Sequence, residues 1–149
     1  MSNKWSKFWR LSATERRLLV LAWLVLPMIA ALLKAVGFRR LQNFLLWLSP
    51  AKAVSGESIN ELRRAAEIVN SAARNGLFEA NCLTRSLTLW WLLRRLGVAS
   101  QLRFGARKVD GEFQAHAWLE HCGQVLNDAE DVAVSYSPFE ESLLRFGSR

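Results

Sequence analysis

Asn81-Cys82-Leu83-Thr84-Arg85-Ser86-Leu87-Thr88-Leu89-Trp90-Trp91 is the stretch whose reading decides the fold. It has the form of a buried helix with a cysteine in its first turn. Leu83, Leu87, Trp90, Trp91, Leu92 and Leu93 are too many apolar residues for one helix face, so the helix is expected to be covered on most sides. Asn81 is a favoured N-cap residue, which places Cys82 at the first helical position. Backbone N–H groups at a helix start favour negative charge, and that is one way to build a nucleophilic thiol. A structural cysteine is the ordinary alternative, because free cysteine is among the most buried residue types.

The rest of the chain frames this helix. At 149 residues it is long enough for one domain with a real core. Two cysteines, Cys82 and Cys122, make no disulfide framework, and no secretory cleavage pattern is evident. The expected setting is reducing and cytoplasmic. The net charge of +7 is uneven. Residues 1–40 hold eight Lys or Arg and one acid, Glu15, and the remainder holds twelve of each sign. The excess charge therefore belongs to the N-terminal part. A basic, apolar segment suits a membrane surface or an acidic partner. No base-reading motif accompanies it, which argues against nucleic acid.

Ser12-Ala13-Thr14-Glu15 is a capping box, predicting a helix from about 13 to 36 that stops at Gly37. Its centre, Leu18 to Leu33, is sixteen residues without a charge and contains Pro27. A membrane span wants about 20 apolar residues, so burial in protein, or lying on a surface, is the favoured reading. A second helix is expected over Phe38 to Leu48, and residues 49–57 read as a linker. This divides the chain into an N-terminal hydrophobic, basic helical segment (1–50) and a second unit (51–149). Ser58 and Glu61 form another capping box, for a helix running to about Arg74. The Cys82 helix follows and ends at Gly97.

Beyond Gly97 the period becomes alternating. Strands are predicted over 98–107, 112–121 and 124–128, with hairpins at Asp110-Gly111 and near Gly123, and a short helix over Pro138 to Phe146. The order of elements is helices, then strands, an α+β pattern. His116 lies on the strand face opposite Phe113, Ala115, Ala117 and Leu119. A lone histidine there is ordinarily a satisfied or surface residue, and Asp128 alone is a turn residue. Together with Cys82 they follow the order of a thiol nucleophile, its base and a carboxylate that orients the base. A two-residue loop at Cys122-Gly123 would set Asp128 opposite Ala117, on the wrong side. The triad reading therefore predicts a three-residue or bulged turn, or Asp128 leaving the ladder at its end. A two-residue Asp110-Gly111 turn sets Gly105 opposite His116, where a missing side chain leaves space for a substrate backbone or marks a bulge. His121-Cys122 matches no zinc spacing, and no metal or other cofactor is expected. Asn81 could help hold an oxyanion, although capping is its simpler role.

Cys82, Arg85-Ser86, Leu89-Trp90-Trp91 and Leu93 to Val98, continued by Phe104-Gly105, Phe113, Ala115 to Glu120, Gly123 and Leu126-Asn127-Asp128, resemble the leader peptidase of lasso-peptide biosynthesis, a stand-alone transglutaminase-like protease. The resemblance covers residues 60–130; the N-terminal part is similar in character only. It implies an α+β, papain-like cysteine protease core that cuts a ribosomally made precursor between leader and core. It implies Cys82, His116 and Asp128 as the catalytic triad. Its implied partners are the precursor peptide, a separate leader-recognition protein and an ATP-dependent cyclase that closes the macrolactam. For residues 1–48 the expected contacts are one of these partners, or peripherally a membrane. A transferase on the same triad and a non-catalytic membrane-associated scaffold are the rival readings.

Overall fold

The computed structural model describes residues 9–49, 56–76 and 80–139. Among the described residues four complete helices come first: α1 (Ala13–Val36), α2 (Phe38–Trp47), α3 (Ile59–Asn75) and α4 (Cys82–Arg95). Then come β1 (Gln101–Val109), β2 (Glu112–His121), β3 (Gln124–Val125), a single turn α5 (Val132–Ser135) and β4 (Ser137–Pro138). The result is an α+β fold with an N-terminal helical extension. Most of the linker read over 49–57, and the terminal helix read over 138–146 apart from its first two residues, lie outside the described residues. Pro138 itself belongs to β4 rather than to a helix.

The helix boundaries follow from side-chain capping. Ser12 Oγ accepts the Glu15 N–H at 3.2 Å, and Glu15 Oε2 accepts the Ser12 N–H at 2.7 Å. Ser58 and Glu61 repeat the arrangement at α3. Gly37, at φ 80°, ends α1 and starts α2; only glycine enters that region freely. Ala22, Val25, Leu26 and Ile29 form one buried face of α1, at the 3–4 residue spacing of a helix. They share a core with Leu62, Ala66 and Val69 of α3 and with the whole run from Leu87 to Leu93 except Thr88. Thr88 is fully buried too, so α4 is enclosed nearly all round.

Arg64 of α3 clasps α1 through Glu15, Nε to Oε1 at 2.8 Å. The Arg64 hydrogen bond, then the Ser12 N–H, holds the Glu15 carboxyl below its ordinary value of 4.5. A depressed folded value contributes stability above the unfolded value, and that contribution is lost as pH falls through the folded one. Glu15→Gln keeps the capping-box geometry and removes the charge. Urea unfolding should therefore find the variant less stable than the wild type above pH 4.5, with the gap closing in stronger acid.

The sheet order is β3-β2-β1-β4, all antiparallel. Asp110 and Gly111 have φ of 51° and 87°, and Cys122 and Gly123 have 49° and 78°. Both hairpins are therefore tight two-residue turns with positive φ at both positions, which suits the twist of the strands they join. Leu119 joins the helical core on one side. On the other side Trp118 and Val125 are buried under Val132 and Tyr136. The strand is thus covered on both faces at this end, whereas Phe113 near the hairpin is 79 % exposed.

Candidate active site

Asn81 caps α4 by accepting the Thr84 N–H on Oδ1 at 2.8 Å. That leaves the N–H groups of Cys82 and Leu83, the first two helical positions, without an intrahelical acceptor. Cys82 is a free, half-buried thiol. A pocket of about 370 Å³ lies at the start of α4, lined by Ala30, Leu33, Lys34, Phe38, Asn81, Leu83 and Thr84; Cys82 is not among the lining residues. The end of α1 and the start of α2 therefore wall the side of the α4 N-terminus that carries Leu83 and Thr84.

One turn further on, Ser86 is fully buried, and residues i and i+4 share a helix face. Ser86 Oγ donates to the Ala117 carbonyl at 3.0 Å and accepts from Asn127 Nδ2 at 2.8 Å. Asn127 Oδ1 accepts the Leu119 N–H at 2.8 Å, and the Asn127 carbonyl accepts from Asn70 Nδ2 at 3.0 Å. One serine and two asparagines thus tie α3, α4, β2 and the segment after β3 together. Each hydroxyl or amide so placed would be costly to bury unpaired.

This network corrects the expected third strand. β3 holds two residues rather than five, and the turn before it is the two-residue Cys122-Gly123 loop, with Glu120 paired to Val125. The Leu126 N–H still reaches the Leu119 carbonyl at 2.9 Å. The reciprocal bond goes to the Asn127 side chain in place of the Leu126 carbonyl, so the ladder stops there. Asp128 then leaves the sheet and turns back to His116. His116 Nε2 meets Asp128 Oδ2 at 2.5 Å, while Oδ1 accepts the Ala129 N–H at 2.8 Å. Both carboxylate oxygens are engaged. With Nε2 committed to the carboxylate, Nδ1 is the imidazole nitrogen left for another proton. The structure thus joins His116 to Asp128 directly. The Cys82 thiol forms no hydrogen bond to either among the described residues; its helix is fixed to the residue after His116 through Ser86.

Gly105 does pair with His116, but the space over it is not open to a substrate. A Cβ there would lie 2.9 Å from Trp118 Cη2 and 3.0 Å from both the Ser137 carbonyl oxygen and Tyr136 Cβ. The chain's own β4 and the residue before it fill the gap. Tyr136 stacks on His116 with ring centroids 4.9 Å apart, and the Arg107 guanidinium lies 4.5 Å from the outer tyrosine ring. Trp118, also near-parallel to His116, is held by Nε1–H donation to Glu120 at 2.8 Å. Gly105→Ala should cost about 1–3 kcal/mol by overpacking and push Tyr136 off the imidazole. Urea denaturation and the ring-current shifts of the His116 imidazole protons, measured on the same sample, check both consequences.

Ser86, Asn127 and Tyr136 are the positioning residues that sequence reasoning left without a role. A serine one turn after the cysteine, in an otherwise apolar helix, was the available signal for the first. His121, the other histidine, turns away from this cluster. Its Nδ1 lies 2.5 Å from the Ala99 carbonyl oxygen and its Nε2 3.5 Å from Cys122 Sγ.

No curated protein and no solved structure matches the chain. A family model described as transglutaminase-like superfamily matches residues 23–141, which include Cys82, His116, Asp128 and the network that ties their elements together. The chain belongs to the transglutaminase-like superfamily.

Proposed function

We propose that this chain is a cysteine peptidase that removes the leader from a ribosomally made lasso-peptide precursor, with Cys82, His116 and Asp128 as its catalytic groups. The observation that carries the chemistry is the His116–Asp128 hydrogen bond beside a helix that opens on a free thiol. His116 Nδ1 takes the Cys82 proton, and the sulfur attacks the scissile carbonyl. The N–H groups at the start of α4 face the developing oxyanion, as preorganised donors do in acyl transfer. The protonated imidazole then gives its proton to the leaving amine, which departs as the core peptide's new N-terminus. Water, deprotonated by His116, cleaves the thioester and releases the leader with a free carboxylate.

The substrate assignment rests on the motif resemblance over residues 60–130. It brings a separate leader-recognition protein and an ATP-dependent cyclase as partners. Superfamily membership equally supports acyl transfer to an amine, because the same thioester serves both reactions. Mass spectrometry of a lasso precursor incubated with this chain separates the two. Leader and core peptides, formed with or without the recognition protein, are the expected products. An amine-capped leader formed in preference to the free acid when a primary amine is added would assign a transferase. An intact precursor in both conditions, with the recognition protein shown to bind it, would overturn the peptidase reading.

A further inference from the structure

α1 has two apolar faces, and the fold uses one. Ala22, Val25, Leu26 and Ile29 are at most 7 % exposed. Its other side presents Val20, Leu21, Trp23, Leu24 and Met28, each at least 41 % exposed. The most apolar window has a mean hydropathy of 2.4, and only 22 % of it is buried. By length and composition alone the helix could cross a membrane. Crossing would strip it from α3 and α4 and break the Glu15–Arg64 ion pair, so the helix stays on the domain. An outward apolar face of this length requires a covering, since soluble domains keep such patches small.

Charge selects the covering. Arg16 and Arg17 line the same concave patch as Val20 and Leu21. Lys34 and Arg40 stand exposed at the far end. The single acid in residues 1–40, Glu15, is already taken by Arg64. A second copy of this chain seated face to face would set cations against cations. A surface that is apolar within and anionic at its edge fits both features. We infer that the outer face of α1 docks in the plane of an anionic lipid bilayer. Val20, Leu21, Leu24 and Met28 enter the acyl boundary, and the basic residues at both ends meet the headgroup phosphates. α4 packs on the inner side of α1, so docking would hold the candidate site near the membrane surface. The inference is independent of the peptidase reading.

Co-sedimentation of the full chain with vesicles of phosphatidylglycerol and phosphatidylcholine tests it. The chain should pellet with these and far less with phosphatidylcholine alone, and added salt should weaken the binding. Leu24→Glu, at a site 67 % exposed and so harmless to folding, should lower partitioning by at least about tenfold. Arg17→Ala should lower it about fivefold. Equal pelleting with and without anionic lipid, or full binding by Leu24→Glu, would overturn the inference. So would light scattering that finds a dimer abolished by Leu24→Glu with no vesicle binding. Failure of the wild-type chain to bind either kind of vesicle would overturn it as well.

Discussion

Cleavage of the precursor peptide should fall to the uncatalysed background when Cys82 becomes alanine, while the domain stays folded. The thiol is half-buried, sits at the first position of α4 and makes no hydrogen bond among the described residues. Removing its sulfur opens no closed cavity and orphans no partner. Stability should therefore move by less than about 1 kcal/mol. Activity should move by roughly 10⁴–10⁶-fold, the scale on which nucleophile loss acts in enzymes of this mechanistic type. His116→Ala should cost nearly as much, and the double variant little more than either, because the groups act as one unit. Cys122 supplies the internal control. It is exposed on a two-residue turn, and Cys122→Ser should cleave at the wild-type rate. Peptide mapping after alkylation shows which thiol was modified. Loss of activity that tracks Cys122 rather than Cys82 would sink the assignment.

What was legible in the sequence divides along a physical line. Boundaries set by local chemistry read directly. Ser12 with Glu15, Ser58 with Glu61, Asn81 and Gly37 act within one turn of themselves, and the helices start and stop where they say. The β1–β2 register was legible for the same reason, since Asp110-Gly111 selects a two-residue turn and so pairs Gly105 with His116. Features made by distant side chains were not legible. Asn127 replaces a backbone carbonyl with its own amide oxygen, which leaves the apolar pattern of Val125-Leu126 unchanged while ending the strand. Trp118 lies on the strand face that reads as polar, yet it is fully buried, because α5 and Tyr136 fold back over it. Hydrophobic alternation tells which residues share a face. It does not tell whether a later segment will return to cover that face. The fate of α1 was open for a related reason: an uncharged run of sixteen residues is short for a membrane span, but it suits a protein core and a surface alike.

Asp128→Ala should lower kcat/KM by about 10²–10⁴-fold while leaving the unfolding free energy nearly unchanged. The carboxylate is partly exposed, with 27 % of its side-chain surface open, and its two oxygens serve His116 and the neighbouring Ala129 N–H. Without it nothing holds the proton on Nε2, and the imidazole populates the tautomer whose Nδ1 cannot accept from the thiol. Asparagine should fall between the two. Its amide oxygen can accept the Nε2–H and keep the working tautomer. Its NH₂ group then faces the Ala129 N–H, donor against donor, where Oδ1 now accepts. The expected order is therefore Asp, then Asn, then Ala, and ¹⁵N spectra of the imidazole should show the tautomer shifting in the same order. Asn127→Ala is the contrasting case. It strands the Leu119 N–H and removes the amide that donates to Ser86, so it should cost about 1–3 kcal/mol of stability as well as activity. If the Asp128 variants lost stability in step with turnover, the aspartate would be a structural clamp like its neighbour. Loss of turnover at constant stability, with a changed imidazole tautomer, is the signature of a residue that orients the base.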